Sequence, residues 1–190
     1  REKWTDGLVV APPTEDKVEE ILEHIGRDPE EIIGIVPPRL GVATVEKVVI
    51  NCVMAGCLPE YVPIIITALQ GMLQEEFTLG AVETATSPVE PLVIVSGPIA
   101  RELDFNSGDG VFGGGSRANA SVGRAIRLIL WNIGGSVPGK TARSPQSHPG
   151  RYTYCIAESD QTPWAPLHAE FGVAEDANAV TVFPCDAPHS

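Results

Sequence analysis

The sequence predicts an α/β domain, a layered mixed sheet flanked by helices, on three observations. Stretches with apolar residues at i, i+3, i+4 and i+7 alternate with short apolar runs bounded by Pro and Gly. The helical patterns lead early and the strand-like runs are dispersed, which fits helices layered on a mixed sheet. The 190 residues, 43% hydrophobic and 20% charged, suit a folded chain that buries its own core. Residues 1–190 are therefore read as one domain, by itself or as one part of a larger or heteromeric protein.

Thr14 to Gly26 reads as an amphipathic helix, with Val18, Ile21, Leu22 and Ile25 on one face, Thr14 as N-cap and Gly26 as stop. Ile32 to Val36 is a short strand ended by Pro37-Pro38. Thr44 to Ala55 is a second helix, capped by Thr44, with Glu46 at the positive end of its dipole and Gly56 as its C′ residue. Pro59 to Phe77 gives a third helix, whose start shifts toward Pro63 because proline is tolerated only in a first turn. Leu92 to Val95 reads as a buried strand, followed by an irregular stretch to Ser116. Arg117 to Ile133 is the fourth helix, ended by Gly134-Gly135 and followed by a Pro/Gly/Ser loop to Gly150. Tyr152 to Ala157 and Val180 to Phe183 are strands, Tyr152 and Tyr154 sharing one face of the first and Thr153 and Cys155 the other.

The net charge of -12 argues against nucleic acid as a partner, because phosphate contacts dominate such affinity. No apolar run approaches the roughly 20 residues of a membrane span. No signal-peptide pattern opens the chain, so a cytoplasmic location is expected. The distribution of charge says more than its sum. Gly110 to Ala157 holds no Asp or Glu, yet it holds Arg117, Arg124, Arg127, Lys140, Arg143 and Arg151, six of the 13 basic residues. A solvated face is the bland explanation; a site for an anion is the sharper one.

The anion reading has a scaffold. Asn106-Ser107-Gly108-Asp109-Gly110 leads into Phe112-Gly113-Gly114-Gly115-Ser116-Arg117-Ala118-Asn119, a glycine-rich loop entering a helix. Glycines let backbone N–H groups approach a ligand, and a helix N-terminus leaves donors free. Arg117 sits at the mouth, with Arg124 two turns on, and each guanidinium is a planar fork for carboxylate or phosphate. Neither GxxxxGK[ST] nor a clean GxGxxG is present. Asn106, Ser107, Gly114, Gly115, Ser116, Arg117, Asn119 and Arg124 are thus candidate ligand-binding residues, against the alternative of a surface loop capped by Ser116.

Cys52, Cys57, Cys155 and Cys185 follow no CxxC pattern, so a zinc finger is not expected and reduced thiols are. Cys52 falls on an apolar helix face, and Cys57 at the negative end of a helix dipole, where a thiol is less acidic. Cys52, Cys57 and Cys155 together leave a metal or iron–sulfur role open, although the spacing fits no standard set. By residue type Cys155, His168 and Glu158 are the candidate reacting groups, on or after a strand that leaves a glycine-rich loop. No cofactor follows from the sequence.

Trp4 to Thr14, Val53-Met-Ala-Gly-Cys57, Ser116-Arg-Ala-Asn119 and Tyr152-Thr-Tyr-Cys155-Ile-Ala-Glu158 together resemble a group of bacterial proteins that occur beside, or fused to, a small UGSC (seleno)cysteine module. The likeness spans nearly the whole chain. This chain has no Ser-Cys pair of that kind. The resemblance implies that a partner supplies the reactive thiol or selenol while this chain supplies the ligand pocket. The expectation is an enzyme or enzyme subunit for a small anionic, carboxylate-type metabolite; the alternative is a non-catalytic binding or scaffold subunit of a hetero-oligomer. A start at Arg1 without Met, Pro-rich ends, and Trp4 and Trp164 available for contact suggest work within an assembly, with a partner subunit or further copies of the chain.

Overall fold

The computed structural model describes residues 4–188. Helix α1 (Glu15–Ile25) closes with Gly26 at φ +62, whose N–H bonds the Leu22 carbonyl; Thr14 stands at the N-cap without a side-chain capping bond. Strands β1 (Ile32–Val36) and β2 (Gly41–Thr44) form an antiparallel hairpin. Helix α2 (Val45–Ala55) starts where Thr44 accepts from the Lys47 N–H, and ends at Gly56, φ +82. A 3-10 turn over Pro59–Tyr61 precedes α3 (Val62–Met72), so Pro63 falls in the first helical turn, where its missing N–H costs nothing. Helix α4 (Leu79–Thr84) leads to β3 (Glu90–Ser96), and α5 (Pro98–Glu102) follows it directly. Helix α6 (Arg117–Asn132) crosses over to β4 (Cys155–Ala157), and β5 (Ala179–Cys185) ends the series.

The sheet that matters for function has the order β4-β3-β5. β3 runs parallel to β4 and antiparallel to β5, with Val93 opposite both Cys155 and Val182. α3 and α6 pack against it and α2 packs on α6, in one contiguous apolar cluster that includes Val48, Ile65, Leu69, Val93, Val122 and Ile129, all fully buried. This is the expected α/β architecture with a mixed sheet and flanking helices. Gly123 shows how closely α6 lies on the chain entering β4: a Cβ there would stand 2.4 Å from Thr153 Oγ1 and 2.5 Å from the Tyr154 nitrogen.

Three elements escape sequence reading. β2, α4 and α5 span four, six and five residues, too short to show a full helical repeat or a clear alternation. The strand expected over Tyr152–Ala157 is shorter than its pattern suggests. Pro149–Arg151 form a 3-10 turn, and Tyr152 keeps helical dihedrals. Strand geometry therefore begins only at Cys155. Tyr152 is half exposed and Tyr154 buried, and both line one cavity together with Thr153 and Cys155, so the strand-like division into two faces is not seen.

Candidate functional site

β3 and β4 end side by side, and their carboxyl ends open into a crevice of about 550 Å³. Ligands of α/β proteins bind at such ends, because the chains leave the sheet there in diverging directions. Gly97 makes the exit possible. Its φ is +90, and a Cβ would stand 2.3 Å from the Ala177 carbonyl oxygen. Asn178 Oδ1 accepts from the Ile99 N–H at 2.8 Å, tying the far wall to the start of α5.

Two of the three candidate reacting groups meet in this crevice. Glu158 follows β4 directly; one carboxylate oxygen accepts from the Ser96 hydroxyl at 2.6 Å and the other from the Leu167 N–H at 2.7 Å. His168 is 3% exposed, with Nε2 at 3.1 Å from the Ala174 carbonyl. That contact makes Nε2 the protonated nitrogen of the neutral ring and leaves the lone pair on Nδ1. Nδ1 is buried and has no hydrogen-bond partner. Leaving a buried polar atom unsatisfied costs about 1–3 kcal/mol, so such an atom needs a reason. Ser107, Arg101 and Asp160 line the same space, as do Glu175 and Asp176. Arg101 and Asp160 pair at 2.8 Å with both side chains more than half exposed.

No known protein family, no curated protein and no solved structure matches the chain. The side chains themselves therefore carry the functional argument.

The candidate anion clamp does not assemble at this crevice. Arg117 donates from Nε and Nη2 to one acceptor, the Gly56 carbonyl, at 3.2 and 3.0 Å, and so ties α6 to the end of α2. Arg124 does hold a carboxylate in a two-pronged contact, but it is the chain's own Asp6, at 2.8 and 3.0 Å. Burial would raise the Asp6 carboxyl, yet the Arg124 hydrogen bonds and the Leu8 N–H outweigh it and hold it below its ordinary range. Ser116 caps α6 by accepting from the Asn119 N–H at 3.1 Å. Asn119 in turn clasps Asn106: its Oδ1 accepts from the Asn106 N–H at 2.9 Å and its Nδ2 donates to the Asn106 carbonyl at 3.0 Å. The Asn106 carbonyl also accepts from the Ala157 N–H at 3.1 Å, so the clasp anchors the loop to β4. Of the eight candidate ligand-binding residues, only Ser107 lines the crevice; Gly114 and Asn119 line a separate cavity. Gly115, at φ +124, shapes the loop.

Three of the four thiols are internal and Cys185 is partly exposed. Cys52, Cys57 and Cys155 are all buried. Burial, then the neighbouring Cys57, pushes the Cys52 and Cys155 thiols well above their ordinary value. The Cys57 thiol donates to the Ser121 carbonyl at 3.4 Å. Among the described residues no group of three His, Cys, Asp or Glu side chains is arranged to hold a metal ion. Cys155 therefore stands apart from Glu158 and His168, on β4 beneath α6, and its thiol is a core group.

Arg101, Asp160, Glu175 and Asp176 were not anticipated. Arg101 lies in a short helix without a periodic signal. The acids lie in a polar stretch whose only visible cue was its position after a strand. Among the described residues no helix is long and apolar enough to cross a membrane.

Proposed function

We propose that the crevice at the ends of β3 and β4 binds a small carboxylated metabolite, and that the chain is an enzyme or enzyme subunit acting on it. The convergence of Glu158, His168, Ser107 and Arg101 around one cavity supports this reading. Arg101 replaces Arg117 and Arg124 as the anion holder. Its pair with Asp160 is exposed, and exposed pairs contribute only about 0–1 kcal/mol, so a ligand carboxylate can displace Asp160 cheaply. His168 Nδ1 is the base, and Glu158, fixed by Ser96 and Leu167, orients a hydroxyl or amine of the ligand.

The Cys52 and Cys155 thiols do not suit nucleophilic work, since the thiolate is the nucleophile and burial disfavours it. A thiol- or selenol-dependent step would draw that group from a partner of the UGSC kind, as the resemblance implies. The alternative, a binding or scaffold subunit, draws on one feature: Ile32, Ile35, Leu40 and Val42 of the β1–β2 hairpin are exposed.

Calorimetry with a panel of hydroxy acids, amino acids and phosphate tests the proposal. A small carboxylate should bind the native protein, and Arg101→Met should weaken it about tenfold or more. Arg117→Lys should leave that affinity within about twofold, because Arg117 is engaged by a backbone carbonyl elsewhere. Failure of every carboxylate to bind removes the reading and favours the scaffold.

A further inference from the structure

A second cavity, about 570 Å³, lies beneath the glycine-rich loop and shares no lining residue with the crevice. Its walls include Phe112 and Gly114 of the loop, Ala120 in the first turns of α6, and His148, Tyr152 and Tyr154 on the chain entering β4. Its volume lies in the range of small-molecule sites, about 300–1,000 Å³.

The lining differs in kind from that of the crevice. Among the described residues no Asp, Glu, Lys or Arg lines it. Most of its polar groups are already satisfied from within; His148 Nε2 is buried without a hydrogen-bond partner among the described residues. The Thr153 hydroxyl lies 3.1 and 2.8 Å from the Asn119 and Ala120 carbonyls. Tyr154 donates to the Asp186 carbonyl at 2.7 Å, and the Asn119 amide is held by Asn106. His148 Nδ1 accepts from the Gly150 N–H at 3.0 Å. Burial, helped by Arg151, lowers the His148 pKa and favours a neutral ring. What the cavity offers is π surface. The Tyr154 ring lies 5.6 Å from Phe112 and 5.4 Å from His148, while Phe112 and Tyr152 remain 48% and 49% exposed. Half-exposed rings around a concave, uncharged wall are costly in water and useful to a flat ligand.

Gly114 adds an independent observation. Its φ is not in the left-handed region, and a Cβ would meet nothing within 4 Å. Neither backbone strain nor internal crowding calls for glycine there. The missing side chain leaves the cavity wall open instead.

We propose that this cavity is a binding site for a small uncharged molecule with an aromatic or planar hydrocarbon group, distinct from the crevice. The aromatic part stacks against Phe112 and Tyr152, and the absence of charge in the wall excludes ions. The site stands on its own lining and does not depend on the function proposed for the crevice.

Fluorescence and saturation-transfer NMR with 1-naphthol, and with 1-naphthoate as its charged counterpart, test the site on the full chain. 1-Naphthol should bind saturably at one site per chain, and 1-naphthoate about tenfold more weakly or worse. Phe112→Ala should weaken 1-naphthol about fivefold. Gly114→Trp, which fills open space without touching the fold, should abolish binding. Trp164→Ala, at the crevice, should leave it unchanged. Absence of saturable binding, equal affinity for naphthoate, insensitivity to Gly114→Trp, or loss of binding as the chain self-associates over the cavity would each overturn the proposal.

Discussion

The segment from Gly110 to Ala157 is rich in arginine and free of acids, whereas the segment from Glu158 to Asp176 carries Glu158, Asp160, Glu170, Glu175 and Asp176. By sequence the first segment is the electrostatic site. In the fold three of the first segment's six basic side chains meet acids, and the second segment faces a cavity. Arg124 is met by Asp6, Arg127 by Glu83 and Glu90, and Arg151 by Glu90. Those acids come from elements far away in the chain. Among the described residues, Asp160 alone of the five acids in the second segment has a salt-bridge partner, while Glu158, Glu175 and Asp176 line the crevice. Charge imbalance along a chain therefore need not mark a site: burial at a charged position requires a partner, and the fold brings it from elsewhere.

The contrast breaks most visibly at Arg127. Its guanidinium is 3% exposed and donates to Glu83 at 2.8 Å, Glu90 at 2.9 Å and the Ser136 carbonyl at 2.7 Å. Arg127→Met leaves two carboxylates buried without it, and should cost about 3–5 kcal/mol in urea unfolding. A cost below about 1 kcal/mol would mean that the cluster is solvated and the neutralisation argument wrong.

The same cluster sharpens the comparison through pH. Burial and the Glu83 charge push Glu90 up from 4.5 to about 7, against the pull of Arg127 and Arg151. A raised carboxyl pKa means that the folded protein holds a proton the unfolded chain has released. Stability from Glu90 is complete below the unfolded value and falls as pH rises from 4.5 through 7. The loss should be on the order of 1–3 kcal/mol, seen as a falling melting temperature, and Glu90→Gln should flatten the slope. A slope unchanged in Glu90→Gln would assign it to another group.

The next effect is smaller because its pair lies nearer the surface. Asp6→Asn keeps the shape but removes the charge facing Arg124, and should cost about 1–2 kcal/mol by thermal unfolding. The same variant releases the Arg124 fork, so added acetate or phosphate should recover part of the loss. Recovery in the native protein as well would mean that the Asp6 contact is already open. Arg117→Lys comes last. It exchanges two hydrogen bonds to one exposed carbonyl for one, and should change stability by less than about 0.5 kcal/mol.

Much of the architecture was legible because local rules and burial agree. Thr44 and Ser116 cap helices as their residue types require, Gly26 and Gly56 end them in left-handed geometry, and Val18 and Ile21 face the core. Pro63 set the start of α3 by its missing N–H. Glu158 and His168 were legible as acid–base types, and both line the crevice; Cys155, of the right type as well, does not. Thiol chemistry depends on burial, and burial is decided by what α6 places above β4.

Sequence by itself determined helices α1, α2, α3 and α6, the strand carrying Leu92 to Val95, and the glycine-rich entry to α6. These depend on residues a few positions apart, so periodicity and capping reveal them. Only the tertiary structure decided where the charges go. It set Asp6 on Arg124, Glu83 and Glu90 on Arg127, and Glu158, His168 and Arg101 around one crevice. Pairing energy depends on distance in space and on exclusion of water, and neither is written in the spacing of residues along the chain.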